Sequence, residues 1–448
     1  MAFWIEKIDR MIWGAPLILV LLAVGMVFSV CLRWIQVRRL PMALRLLLHS
    51  EQGEGEVSRF GALATSLAAM IGTGNIVGVA TAVGLGGAGA LFWMLLAGIL
   101  GMATGYAEGF LAVRFRMRTE TGEVYGGPFA YIERGMGKRF FPLARIFALC
   151  GAAAAVFGIG TVTQMNGIVG AMQSLLGRTD AAVTVVAAVL MTLLTAWVLR
   201  GGVGRISNVS MILVPVMGGL FFVATVAVLI LRYQEIPNAV REIVVGAFCP
   251  RAAAGGVSGS MLAAAIRMGV SRGVFSNEAG LGSAAIASAA AKANHPAEQG
   301  LVNMTGTFLD TVVLCTLTGL AIVVTGAHRI LPQGGAALTA LAYNMGLPFF
   351  GGLGGIVVNI TLILFAFAST IGWYYYGETC ARYLGKERAV HLYHALFLCL
   401  LFCGAFLNLE TVWNLADCFN GLMAVPNLIA LVALAPLVIR ETKKYEKF

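Results

Sequence analysis

Ala68-Ala69-Met70-Ile71-Gly72-Thr73-Gly74-Asn75-Ile76-Val77-Gly78 lies inside a run of 48 uncharged residues, 60–107. Such a run belongs at membrane depth. A helix in hydrocarbon hides its backbone polar groups by bonding them to one another, because lipid offers no substitute. Gly-Thr-Gly-Asn places two glycines and an asparagine, all weak helix formers, in mid-span. Unwound backbone at that depth survives only where protein buries it or a polar ligand meets it. Two readings follow. The stretch is either the break of a discontinuous helix, whose freed amides and carbonyls hold solute and ion, or a close-packing seam through Gly74-x-x-x-Gly78. A second break elsewhere would decide for the first.

Composition bounds the answer. Of 448 residues, 59% are hydrophobic and 12% charged, which excludes a soluble enzyme. At about 20 apolar residues per span there is room for ten or more helices. The net charge of +10 does not point to nucleic acid, because no soluble domain could carry such a surface. The five His are scattered without metal-ligand spacing. The eight Cys (31, 150, 249, 315, 380, 399, 403, 418) show no CxxC pair and read as small core residues. Lys7 and Arg10 precede an apolar run, 11–32. It resembles a signal sequence but is long and lacks a small-x-small cleavage site, so it reads as a span.

The expected spans are helix 1 (11–32), helix 2 (60–84), helix 3 (90–113), helix 4 (146–176, tilted), helix 5 (181–199), helix 6 (206–231), helix 7 (258–290), helix 8 (299–325), helix 9 (353–380), helix 10 (389–407) and helix 11 (411–439). A short helix is expected at 336–345. With the N-terminus outside, 22 of the 31 Lys and Arg fall on inner segments and 7 on outer ones, with Arg267 and Arg272 inside helix 7. That bias fixes the orientation, with the C-terminus in the cytoplasm. The fold expected is an all-α polytopic membrane protein of the cell membrane with about 11 transmembrane helices. Helices 2–6 and 7–11 would form a five-plus-five inverted repeat, an expectation resting on topology alone. The divisions are 1–57 (peripheral helix and inner loop), 58–232 (first repeat), 233–257 (outer connection), 258–440 (second repeat) and 441–448 (tail).

Helix 7 supplies the second break. Gly269, Ser271, Gly273, Ser276, Asn277, Gly280 and Gly282 interrupt an apolar span in the first helix of the second half. Interrupted segments at corresponding positions of two halves point to a secondary-transporter site. Glu278 would cost a few kcal/mol if charged and unpaired near mid-membrane. It must face a cavity, pair with Arg272 or another cation, or carry a proton.

The chain resembles the alanine-or-glycine:cation symporter family of the amino acid–polyamine–organocation superfamily. The resemblance rests on Ile71-Gly72-Thr73-Gly74-Asn75-Ile76; Tyr106-Ala107-Glu108-Gly109 with Leu111-Ala112-Val113; Gly126-Gly127-Pro128 with Tyr131-Ile132-Glu133; Phe275-Ser276-Asn277-Glu278-Ala279-Gly280; and Gly372-Trp373-Tyr374-Tyr375-Tyr376-Gly377-Glu378. It implies a leucine-transporter-like fold preceded by an extra helix, and uptake of alanine or glycine with sodium. By resemblance, solute is lined by Thr73, Gly74 and Asn75 of helix 2, by Gln164 of helix 4, and by Ser369 and Trp373 of helix 9. Helix 7 would add Phe275, Ser276, Asn277, Glu278, Gly280 and Gly282. The similar sodium site of related transporters implies carbonyls of Ala68, Ile71 and Ala366 with hydroxyls of Ser369 and Thr370. Those hydroxyls have a structural alternative, bonding back to the preceding helical turn. Leu281, Ala285 and Gly105 depart from residues common in the family (Met, Pro and Lys), and Leu281 lies closest to the site.

Elementary chemistry agrees. A zwitterion's carboxylate needs donors, which a half-helix N-terminus supplies. Its ammonium needs acceptors, from freed carbonyls, Gln164 or Glu278, and many glycines suit a solute with almost no side chain. No organic cofactor is implied, and no nucleophile–base pair suggests an enzyme. The alternatives are a proton-coupled carrier of the same fold, with Glu278 or Asp310 titrating, and a channel. Glu108 is expected to pair with Arg114 or Arg116; Asp310 and Asp417 are candidates to pair with Arg267 or Arg272. His391, His394, Glu410 and Trp413 read as interfacial.

Overall fold

The computed structural model describes residues 7, 11–47, 55–120, 122–248, 258–407 and 409–445. Arg10, Cys249 and the side chains of Glu410 and Trp413 lie outside the described residues. Helix 1 is Ala15–Cys31, followed by the short helices Ile35–Arg38 and Leu40–Leu46. Helix 3 is Ala90–Arg114, helix 5 Ala181–Leu199, helix 6 Gly202–Leu231 and helix 11 Leu409–Tyr445. Helix 11 thus extends past residue 440, the end expected for the second repeat, to within three residues of the C-terminus. The short helix expected at 336–345 is present as Gly335–Gly346.

Helix 2 is broken. Its first half, Arg59–Met70, starts at Ser58, whose hydroxyl accepts from the amide of Gly61. It ends at Ile71, where φ −77° and ψ 88° leave the helical region. A π-turn, Gly74–Gly78, leads into Val79–Gly86, and the two halves are bent by 50°. Helix 7 is broken as well. Ser258–Asn277 stops at Glu278 (φ 59°), passes through Gly280 (φ 88°) and Gly282 (φ 83°), and resumes as Ala284–Ala289.

Two departures from expectation concern span integrity. Helix 4 is not one tilted rod but Phe141–Phe157 and Val162–Leu176, parted by non-helical backbone at Gly158 and Thr161. Glycine gives no side-chain cost to leaving the helix there. Helix 8 runs Pro296–Thr307, then a π-helical stretch Phe308–Cys315, then Thr316–Thr325. Helices 9 and 10 form Leu353–Cys403, separated by non-helical angles at Gly385 and Lys386.

Among the described residues seven helices are long and apolar enough to cross a membrane, eight with the bent helix 2 counted as one. The expected eleven differ for physical reasons. Helix 1 has only 17 residues, helix 7 is divided and carries two arginines, and helices 9 and 10 join across their turn. The link between helices 3 and 4 holds an antiparallel hairpin, β1 (Met117–Arg118) and β2 (Val124–Tyr125), then the helix Pro128–Met136. A further helix, Ile236–Phe248, lies between helices 6 and 7.

Helix 7 packs tightly against helix 3. A Cβ on Gly269 would sit 2.3 Å from the carbonyl oxygen of Ala90, whereas one on Gly219 of helix 6 meets nothing within 4 Å. Overpacking against backbone costs about 1–3 kcal/mol. Gly269→Ala is therefore expected to lower the melting temperature in detergent by several degrees, and Gly219→Ala to leave it unchanged or raise it. Equal melting of the two variants would contradict this packing.

Candidate functional site

The two breaks meet, and one side chain holds them together. Asp310, fully buried in the π-helical stretch of helix 8, accepts from Asn75 Nδ2 at 2.7 Å and Ser276 Oγ at 3.0 Å on its Oδ1. Its Oδ2 accepts from Thr311 Oγ1 at 2.7 Å. Thr311 in turn accepts from Asn277 Nδ2 at 3.0 Å. A π-helical turn displaces side chains from the α-helical register, and here it carries Asp310 and Thr311 between the broken segments. Of the two roles open to Asp310, pairing with an arginine or serving a proton path, the first is not what the chain shows; its side-chain partners are neutral donors.

Each break is also closed locally. Asn75 Oδ1 accepts from the amide of Gly72 at 3.1 Å, and Asn277 Oδ1 accepts from the amide of Ala279 at 2.9 Å. Glu108 was expected to pair with Arg114 or Arg116. Instead its Oε1 accepts from the amide of Gly280 at 3.0 Å and from Asn427 Nδ2 at 2.6 Å, and Asn427 also donates to the Gly280 carbonyl at 2.9 Å. Helical periodicity explains the correction: Glu108 points into the bundle, while Arg114 reaches Glu441 and Arg116 the carbonyl of Ala291. Tyr131 donates to Asn427 Oδ1. Arg272 pairs with Asp417, not Glu278, at 2.8 Å, and its guanidinium lies 5.6 Å from the Phe275 ring centroid.

The expected site residues divide into two groups. Asn75, Ser276, Asn277 and the backbone of Gly280 are bonded within the protein. Thr73 Oγ1 and Gln164 Oε1 are buried with no hydrogen-bond partner; Glu278 Oε1 and Trp373 Nε1 make no well-aligned bond, although the indole approaches the Glu278 carboxyl closely enough to donate to it. Glu278 keeps one bond, accepting from Ser283 Oγ at 2.6 Å on its other oxygen. Helix 4 brings Gln164 and Gly167 to the first break. A Cβ on Gly72 would lie 3.7 Å from Gln164 Nε2, and one on Gly167 would lie 2.9 Å from Thr73 Cγ2. A Cβ on Gly74 would lie 3.3 Å from Ser276, so the two breaks touch through glycine. Trp373 packs on the break in helix 4, where a Cβ on Gly160 would be 2.9 Å from its own Cβ. Phe275 is buried; Gly282 holds the left-handed turn.

For the ion, helix 9 presents Ser369 and Thr370 to the end of the first half of helix 2. In a continuous helix the carbonyls of Ala68 and Ile71 would accept from the amides of Gly72 and Asn75. Here those amides bond to Asn75 Oδ1 and to the carbonyl of Gly72. Ser369 Oγ donates to the carbonyl of Ala69 at 3.1 Å. Thr370 Oγ1 donates to the carbonyl of Ala366 at 3.0 Å, the back-bonded alternative. Ser369 thus joins helix 9 to the end of the first half of helix 2, while Thr370 is bonded within helix 9. Among the described residues no group of three or more His, Cys, Asp or Glu is placed to hold a metal ion.

Sequence reasoning missed Asn427 and the hub role of Asp310. Asn427 follows Pro426 within the otherwise apolar stretch 421–439, the one signal that pointed to it.

A model of the sodium:alanine symporter family matches residues 1–448. An uncharacterized transporter of Haemophilus influenzae is 48% identical over 442 residues, 98% of this chain and 95% of that protein. The sodium/alanine symporter AgcS of Methanococcus maripaludis is 42% identical over 451 residues, 99% of this chain and 97% of that one. Among solved structures, MhsT in complex with L-phenylalanine matches with a TM-score of 0.61 at 16% identity, covering 87% of this chain and 98% of that chain. That likeness is one of fold. With its broken helices and full-length match, the chain is a multi-pass membrane transporter of amino acids and not an enzyme, and it belongs to the sodium:alanine symporter family.

Proposed function

We propose that the protein couples sodium entry to uptake of a small neutral amino acid, alanine or glycine, by alternating access around the two breaks. The observation that carries this reading is the set of buried, unbonded polar atoms at the point where helices 2, 4, 7 and 9 converge. A buried polar atom without a partner costs about 1–3 kcal/mol, a cost that a polar ligand meeting Thr73 and Gln164 at the first break would repay. The zwitterion's ammonium would meet Gln164 Oε1 and Glu278 Oε1, and its carboxylate the Thr73 hydroxyl and the amides opening the second half of helix 2. Sodium would sit between the carbonyls of Ala68, Ile71 and Ala366 and the hydroxyls of Ser369 and Thr370, whose oxygens keep lone pairs for the ion while their protons go to the carbonyls of Ala69 and Ala366. AgcS, named for sodium and alanine, supports the choice.

Orientation follows from charge, with the N-terminus outside, the C-terminus in the cytoplasm, and helices 2–6 and 7–11 as inverted repeats. The hairpin end then faces the cytoplasm and is cross-braced. Arg382 reaches Glu123 at 3.1 Å and Glu378 at 3.0 Å, and Lys386 reaches Glu120 at 3.1 Å. The Val124 amide donates to Glu56 at 2.9 Å, and Arg59 pairs with Glu298.

Proteoliposomes tested at fixed pH, with sodium replaced by choline, are expected to lose alanine uptake. Undiminished uptake would favour the proton-coupled alternative. Ser369→Ala is expected to raise the sodium concentration for half-maximal uptake about tenfold, with a smaller effect on alanine affinity at saturating sodium; an unchanged sodium dependence would remove Ser369 from the ion site. Asp310→Ala strands three donors, a loss of about 3 kcal/mol or more, and is expected to lower the melting temperature far more than Asp310→Asn. Equal melting of wild type and Asp310→Ala would refute the hub.

A further inference from the structure

Away from the centre, the two interrupted helices are joined a second time. The residues before helix 2 and those after helix 7 form a parallel backbone bridge, with Val57 opposite Ala291. The amides of Glu56 and Val57 donate to the Ala290 carbonyl at 2.8 and 3.2 Å, and the amide of Lys292 donates to the Val57 carbonyl at 2.8 Å. Val57, Ala290 and Ala291 are buried. The approach is close, since a Cβ on Gly55 would lie 2.5 Å from the carbonyl carbon of Ala291. Arg59, the first residue of helix 2, adds a second fastening. Itself buried, it donates through Nε to the Lys292 carbonyl at 3.3 Å and pairs with Glu298 in the first turn of helix 8. Helix 7 is held to helices 8 and 3 in turn: Ser288 donates to Asn303 Oδ1 at 2.9 Å, and Asn303 to the Gly105 carbonyl at 2.7 Å.

The first half of helix 2 and the second half of helix 7 are thus tied at their outlying ends, while each meets the centre at a break. Arg59–Met70 ends at Ile71, where ψ is 88°. Ala284–Ala289 begins after positive φ at Glu278, Gly280 and Gly282. A few such residues can absorb the dihedral changes of a hinge. Pulling the two segments apart would strand buried backbone donors and acceptors, at about 1–3 kcal/mol for each. Parting from the inner end of helix 9 is cheaper. Glu56 and the helix 9 residues Tyr375, Glu378, Thr379 and Arg382 line a common cleft of about 110 Å³, and the Arg382–Glu123 pair that spans this end has a carboxylate 57% exposed. Exposed pairs of that kind contribute at most about 1 kcal/mol.

We propose that these two half-helices move as one tied unit during transport, pivoting at the two breaks, so that the Val57–Ala291 bridge is a strut that stays made while the site opens along helix 9. Such a motion presupposes the alternating access proposed above.

The test uses the full chain in proteoliposomes. In the double variant Val57→Cys/Ala291→Cys the thiols stand on paired residues roughly 5 Å apart at Cα, within reach of a disulfide. Copper phenanthroline joins them, dithiothreitol parts them, and mass spectrometry of the linked peptides gives the extent of bridging. Each single variant, treated alike, accounts for oxidation of the native cysteines. The bridged protein is expected to take up labelled L-alanine with sodium at a rate within about twofold of its reduced form. A loss of about tenfold or more on bridging, recovered with dithiothreitol, would mean that the segments must part, and overturns the strut. Glu56→Cys/Ala290→Cys, the preceding pair in register, gives the same readout should the first pair prevent folding. Absence of sodium-driven alanine uptake in the wild type would instead overturn the parent reading, so the two failures are distinguishable.

Discussion

Everything at the centre of this molecule depends on one constraint: a peptide group freed from its helix inside a membrane must find another partner. The chain meets it with side chains from neighbouring helices. The amide of Gly72 goes to Asn75 and that of Ala279 to Asn277. Gly280 is held on both sides, its amide by Glu108 and its carbonyl by Asn427. Asp310 then fixes Asn75 directly and Asn277 through Thr311. The polar residues of the breaks serve the backbone first, and a ligand can claim only what is left. This separates the expected site residues into those already bonded and those with unused atoms more sharply than residue type alone.

The two ends of the bundle are built differently, and the difference bears on alternating access. At the hairpin end, pairs join parts that are far apart in sequence: Arg59 with Glu298, Arg382 with Glu123, Tyr383 with Glu133. Exposed pairs such as Lys386–Glu120 contribute little to stability. Weak, solvent-accessible links are suited to a face that must open and close at small cost. On the opposite side, by the charge-based orientation, Glu242 bonds to His328 and Arg329, and the Arg272–Asp417 pair joins helices 7 and 11.

How much of this was legible in the sequence varies with the range of the interaction. The breaks at Gly72–Asn75 and after Asn277 were legible, because glycine and polar residues in mid-span conflict with a continuous helix. The break in helix 4 was not singled out: Gly158 and Gly160 sit in an alanine-rich run that also suits close helix packing. Glu108 was assigned to arginines near in sequence, but side-chain direction along helix 3 and a contact 172 residues away decided its partner. Arg272 with Asp417 was one of several pairings the composition allowed, and only packing selected it. The rotamer of Thr370, bonded to Ala366, lies beyond sequence altogether, since both orientations are compatible with the same helix.

Glu278 shows the central trade most clearly. Its backbone is left-handed, with φ 59°, a conformation that costs a non-glycine residue about 1–3 kcal/mol. Glycine stands two and four residues later, at positions of the same handedness, and would have relieved the strain here too. A carboxyl group is present instead, one oxygen anchored by Ser283 and the other unbonded in the protein interior. Strain, burial and an oxygen with no well-aligned partner meet at one residue. They are reconciled if the free oxygen faces a positively charged group that comes and goes, which is what the ammonium of a transported amino acid would do.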